Sequence, residues 1–209
     1  MRKMMRRPLA GLIGLALLAG APALAQDPTP LQPTEILHGR FTQERILTGI
    51  ATPLKSEGSF VLAPEHGLIW RVETPFAVTT VMTGNGIAQF NGETEMVNLS
   101  AAQAPVLAHL YQVLGGALTG DIARLEERFD VAKSTSGNDW QLALTPREAA
   151  TADATQIEAI IIRGSRYIDR IEIAKASGDE DRLIFHDQTI VSEAIDPKDA
   201  ELLDRAGAK

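Results

Sequence analysis

The chain has no cysteine. Disulfides, thiolate metal sites and a thiol nucleophile are excluded with it, so the fold has to be held by its apolar core. Aromatic residues are scarce too, at 5% of the sequence, and any greasy surface must be built mainly from aliphatic side chains. Histidine occurs four times, at His38, His66, His109 and His186. None of these stands four residues from another, as a helical zinc pair requires. Cations are outnumbered, with 20 Lys and Arg against 27 Asp and Glu. That balance argues against nucleic acid and anionic bilayers as partners, since both demand clustered positive charge, and favours partners with basic faces.

Catalytic patterns are missing as well. His186-Asp187 offers two parts of a triad, but no Gly-x-Ser-x-Gly elbow accompanies it and a histidine on a strand face explains it. Gly84-Asn85-Gly86 lacks the Gly-Lys-Ser/Thr that completes a phosphate loop and reads as a tight hairpin turn. Glu126-Glu127 reads as a solvated helix face. The expectation is a binding protein and not an enzyme, with no cofactor and no metal ion.

What is present begins with a leader. Arg2, Lys3, Arg6 and Arg7 precede an apolar run from Leu9 to Leu18, and Ala23-Leu24-Ala25 supplies small residues for a cleavage site. This is the layout of a secretory signal peptide, and the run is shorter than the roughly 20 residues that span a bilayer. Cleavage after Ala25 removes four cations and no carboxylate, which takes the formal charge from −7 to −11. No cysteine follows the leader, so the chain cannot itself be lipid-anchored. The sequence thus predicts a signal peptide over 1–25, a proline-bearing tail over 26–37 and a single domain over 38–209, exported to the periplasm and expected to be a monomer.

Short β-branched segments then alternate with Gly and Pro. Strands are predicted at Phe41 to Leu47, Gly58 to Leu62, Leu68 to Glu73, Val78 to Met82, Ile87 to Phe90 and Glu95 to Leu99. From Gln103 to Leu118 the period changes: Val106, Leu107, Leu110, Val113, Leu114 and Leu118 fall at helical spacing with one apolar side. A second short helix runs from Gly120-Asp121 through Glu127. Strands resume at Phe129 to Lys133, Trp140 to Thr145, Gln156 to Arg163, Tyr167 to Lys175 and Arg182 to Val191, and Asp196-Pro197 opens a last helical turn that frays. The fold class is therefore mainly β (α+β), with about eleven antiparallel strands in a barrel or a strongly curved sheet and a helical insert.

Alternation places Phe60 with Leu62, and Leu68 with Trp70 and Val72, on single strand faces. Trp140, Leu142 and Leu144, then Ile171 and Ile173, then Leu183 and Phe185, repeat the pattern. Periodicity fits a filled sheet-against-helix core as well as a hollow roofed by the helix.

The stretch Gly39-Arg40-Phe41-Thr42-Gln43, then Gly58-Ser59-Phe60-Val61-Leu62, then Gly67 through Trp70 to Pro75-Phe76, resembles the LolA family of periplasmic lipoprotein carriers. Val81-Met82-Thr83-Gly84-Asn85-Gly86 is similar to that family's next strand, turn and strand. The resemblance is sharp over 39–90 and topological from 101 to 195. It implies an incomplete antiparallel β-barrel with helices forming a lid over the concave face, and a hydrophobic cavity there for acyl chains. The implied cargo-binding residues are Phe60, Leu62, Leu68, Trp70, Val81, Leu107, Leu110, Leu114, Leu142, Leu144, Ile171, Ile173 and Phe185. The implied partners are lipoprotein acyl chains or lipid, an inner-membrane releasing transporter or lipid exporter, and an outer-membrane receptor. A lipid-sensing periplasmic regulator of an inner-membrane protein is the alternative that the same half-barrel allows. In the family an arginine at the tip between the second and third strands latches the lid. Here the tip is Ala63-Pro64-Glu65-His66-Gly67, and His66 is the nearest substitute, as a weaker donor.

Overall fold

A computed structural model describes residues 30–103, 113–147 and 156–207. The predicted leader, residues 26–29 of the predicted tail, and Leu107 and Leu110 lie outside the described residues. Eleven strands form one antiparallel sheet: β1 (Ile36–Ile46), β2 (Leu54–Ala63), β3 (Gly67–Thr74), β4 (Val78–Met82), β5 (Gly86–Asn91), β6 (Thr94–Ser100), β7 (Phe129–Ser136), β8 (Asp139–Pro146), β9 (Ile157–Gly164), β10 (Ile168–Lys175) and β11 (Glu180–Val191). Their order is β6-β5-β4-β3-β2-β1-β11-β10-β9-β8-β7. Two meanders, one from each half of the chain, are therefore joined where β1 pairs with β11. The sheet is open, with β6 and β7 as its edges, so the barrel is incomplete as predicted. β1 starts at Ile36, two residues before the predicted domain boundary, because Ile36 and Leu37 are buried and paired with Val191 and Ile190.

The register sorts the side chains into two faces. On the inner face, transverse rows run from strand to strand. One is Leu99–Ile87–Met82–Leu68–Leu62–Leu37–Ile190. Another is Val72–Gly58–Phe41–Phe185. Two more cross the second meander, Leu183–Ile171–Ile162–Leu142 and Asp181–Ile173–Ile160–Leu144–Val131. Met82 and Ile87 from one meander share a single apolar cluster with Leu142 and Leu144 from the other. The sheet curls: Phe129 at the start of β7 and His66 at the β2–β3 tip, many strand widths apart in the strand order, line one cleft.

Gly58 shows why the motif residues are what they are. A Cβ there would meet the Arg71 carbonyl oxygen at 1.8 Å and the Phe41 ring at 3.0 Å. With no side chain in the way, the Phe41 ring stacks on Trp70 at 3.7 Å between centroids, and Phe60 and Phe185 pack edge to face at 5.5 Å beside it.

The inner face is covered by helical residues 113–119 and the short helix Ile122–Glu126, whose Asp121 cap accepts from the Arg124 N–H at 3.2 Å. Val113, Ala117, Leu118 and Leu125 from this cover join the inner cluster. The outer face has its own smaller core under the helix Pro197–Arg205, where Leu203 and Ala206 meet Val61, Ile69, Val81, Ala88 and Phe90. That helix opens as predicted, on the Asp196 side chain and Pro197. It does not fray as a loose turn. Arg71 pairs with Asp199, Asn98 donates to the Arg205 carbonyl at 2.9 Å, and the Asn98 side-chain oxygen accepts from Gly207 N–H at 2.9 Å.

Candidate cargo-binding face

The structure brings most of the predicted site residues together. Phe60 pairs with Trp70 and Leu62 with Leu68 on the first meander. Leu142, Leu144, Ile171 and Ile173 line the second, Phe185 sits where the halves join, and all nine belong to the inner cluster. Leu114 is partly buried against it. Val81 does not belong there. It pairs with Ile69 and Ala88, while its neighbour Met82 pairs with inward Leu68, so alternation sends Val81 to the outer face under the helix Pro197–Arg205.

Sequence reasoning missed several contributors. Ile160 and Ile162 are fully buried in the same rows as Leu144 and Leu142. Leu37, Met82 and Ile87 extend the first meander's lining. A signal for the outer core was present in Val61-Leu62-Ala63, Leu68-Ile69-Trp70 and Val81-Met82, because consecutive apolar residues mark strands buried on both faces.

The lining is sealed against solvent, with Leu68, Ile160 and Ile162 at 0% exposure and Leu142 at 2%. Its two ends differ in chemistry. At one end, Asp181 interrupts an aliphatic row; Arg45 donates to its carboxylate at 2.9 Å and Lys175 pairs with it at 2.5 Å. Two cations around one buried carboxylate satisfy the desolvated charge and mark where the greasy surface stops. At the other end, a cavity of about 250 Å³ opens between residues 30–37, the turn after β9 and the end of β11. A wider cleft of about 470 Å³ separates the β2–β3 tip from the cover. Glu65 and His66 line its sheet side, and Arg124 and Arg128 its cover side. His66 is exposed there, and the arginines near the tip come from the cover and not from the tip itself.

Outside, the sheet carries ion pairs. Glu172 lies among Arg163 (2.5 Å), Arg170 (3.3 Å) and Arg182 (3.7 Å). Burial pushes its carboxyl up, and the guanidinium hydrogen bonds outweigh that and hold it below the usual carboxylate range. Arg40 and the Ser59 hydroxyl both donate to Glu73 and lower it likewise. His186 Nδ1 lies 2.8 Å from Asp187, and both side chains are solvent-exposed. Arg40 separates Ser59 from His186 in the register, two strand spacings apart or about 10 Å, so the three groups do not assemble a nucleophile site.

A family model described as outer membrane lipoprotein carrier protein LolA-like matches residues 31–205. The chain belongs to this LolA-like family. A search of curated proteins finds no match to this LolA-like chain. Among solved structures it is similar to a LolA superfamily protein from Nitrosomonas europaea, with 13% identity over 78% of this chain and 89% of that one and a TM-score of 0.42. It is also similar to a chain of the Pseudomonas aeruginosa MucA/MucB complex, with 15% identity, 80% of this chain, 56% of that one and a TM-score of 0.44. A putative outer membrane lipoprotein-sorting protein domain from Vibrio parahaemolyticus matches at 10% identity over 80% and 92% of the two chains, with a TM-score of 0.37. No helix among the described residues of this LolA-like chain is long and apolar enough to cross a membrane.

Proposed function

We propose that this chain is a periplasmic carrier that binds lipoproteins or other acylated lipids on its inner face and delivers them towards the outer membrane. An inner-membrane releasing transporter or lipid exporter loads it, and an outer-membrane receptor unloads it. The observation that carries this reading is the form of the inner face. It is an apolar surface continuous across both meanders, roofed among the described residues by helical residues 113–119 and a five-residue helix. A second sheet would close such a surface permanently, whereas a short helical cover can lift.

Magnitudes support the exchange. Displacing Val113, Leu118 and Leu125 from the sheet costs about 1.5–3 kcal/mol for each apolar side chain re-exposed. An acyl chain contributes about 0.8 kcal/mol for each methylene it buries, so roughly a dozen methylenes offset that opening. Binding remains reversible because little is left over, and handover needs only a receptor whose pocket buries more of the chain. Contacts between aliphatic groups carry no directional preference, which gives broad tolerance for the acyl part of the cargo.

The test is to export the protein in a Gram-negative host, purify it from the periplasm without detergent and extract bound lipid for mass spectrometry. Acylated species at near-equimolar amounts are the expected result. A protein that emerges lipid-free and takes up no acyl chain when offered one contradicts the proposal.

A further inference from the structure

The cavity of about 250 Å³ at the open end of the inner face has walls that are polar and apolar in about equal measure, the apolar part including Leu31, Leu37, Leu118, Trp140 and Ile190. Three polar side chains, Glu35, Arg166 and Gln188, also line it.

Gln188 is aimed there by a defect in the sheet. His38 pairs with Thr189 but Arg40 pairs with His186, so Asp187 and Gln188 together face the single residue Gly39. This is a β-bulge, a device that re-aims a side chain next to binding and active sites. Asp187 takes the left-handed conformation the bulge demands, with φ of 53°. Gly39 leaves the space: a Cβ there would lie 2.5 Å from the Phe60 ring and 3.0 Å from Gln188 Cγ. The amide is oriented, because Gln188 Nε2 donates to the Ile168 carbonyl at 2.7 Å and an oxygen in that place would be repelled. Its Oε1 is then a buried acceptor without a hydrogen-bond partner. Buried polar atoms are nearly always matched, so this one calls for a donor from something else. Tyr167 supports Arg166, whose guanidinium carbon lies 5.2 Å from the ring centroid, and no described carboxylate pairs with that guanidinium. Glu35 is already engaged, its carboxylate accepting from Gln32 N–H at 2.8 Å.

On the carrier reading above, we infer that this cavity holds the head of the cargo. The ligand class is an acyl-chain amphiphile whose head group offers an ammonium N–H donor to Gln188 Oε1 and a negative charge to Arg166. Its tail passes Leu37 onto the inner face.

Two lysophospholipids with the same acyl chain separate the elements of this inference. Lysophosphatidylethanolamine and lysophosphatidylcholine share tail and phosphate, and only the first carries N–H donors. Calorimetric titration below the micellar range should show the ethanolamine lipid binding about tenfold or more tightly, the order expected for one hydrogen bond between charged and neutral partners. Gln188→Met should close that gap to within about twofold, chiefly by weakening the ethanolamine lipid. Arg166→Gln, an exposed change, should weaken both lipids alike. Equal affinities in the unaltered protein, or a gap that survives Gln188→Met in a variant with an unchanged melting profile, overturn the head-group assignment while the carrier reading stands. Failure of both lipids to bind overturns the two together.

Discussion

Glu172 and Glu73 show how single residues tie this sheet to pH. Glu172 titrates below the ordinary carboxylate range because Arg163 and Arg170 hydrogen-bond to its charged form more strongly than burial opposes it. Glu73 is lowered by Arg40 and Ser59. A carboxylate whose folded pKa is depressed contributes stability above its unfolded pKa of about 4.3, and the contribution is lost as pH falls through the folded value. Asp169 works the other way. Burial and the neighbouring Asp139 raise it, so its contribution is present at low pH and fades as pH rises through the folded value. Among the described residues more carboxylates are lowered than raised, with Glu57 and Asp179 also below their usual range. The urea midpoint should therefore fall on acidification from about pH 5 to pH 3. Glu172→Gln should start lower at neutral pH and fall less steeply over that window; a slope equal to the unaltered protein's would remove Glu172 from the explanation.

Among the elements, the two helical layers make separable contributions. Leu118 from the cover and Leu203 from the helix Pro197–Arg205 are buried to similar extents, at 7% and 6% exposure, but on opposite faces of the sheet. Replacing either by alanine should cost about 2–5 kcal/mol of stability, by lost transfer energy plus the cavity left behind. Only Leu118→Ala should also speed uptake of an acyl probe, because only the cover has to lift. Equal effects of the two variants on uptake, followed by stopped-flow fluorescence, would contradict that division. All eleven strands were legible in the sequence, because alternating β-branched segments bounded by Gly and Pro carry the period of two. The face of an isolated residue was less legible. Val81 is a cavity residue only by the family resemblance, since the run Val78 to Met82 is compatible with either face and the decision lies in the pairing of Met82 with Leu68. The bulge on β11 leaves a trace in the sequence: inward residues are odd-numbered at Leu183 and Phe185 but even at Ile190, a change of parity that one extra residue produces. The docking of Leu203 and Ala206 needed the third dimension, since nothing local says which face a short amphipathic helix covers.

At the scale of the whole molecule, two meanders share one curled inner face, and the helical cover seals it without being part of the sheet. The absence of cysteine is consistent with that arrangement, since no crosslink ties cover to sheet. The chain also contains only two tryptophans, Trp70 and Trp140, and both belong to the inner cluster, one stacked between Phe41 and Phe60 and the other at the open cavity. Their emission is an internal report on this face alone. Titration with a bromine-labelled fatty acyl chain, read as tryptophan quenching, is the most direct test of the claim that the inner face receives a lipid tail. Saturable quenching near one chain per molecule, with Trp70 still quenched in a Trp140→Phe variant, is the predicted result. Emission that stays unchanged, or falls only in proportion to added lipid without saturating, would contradict it.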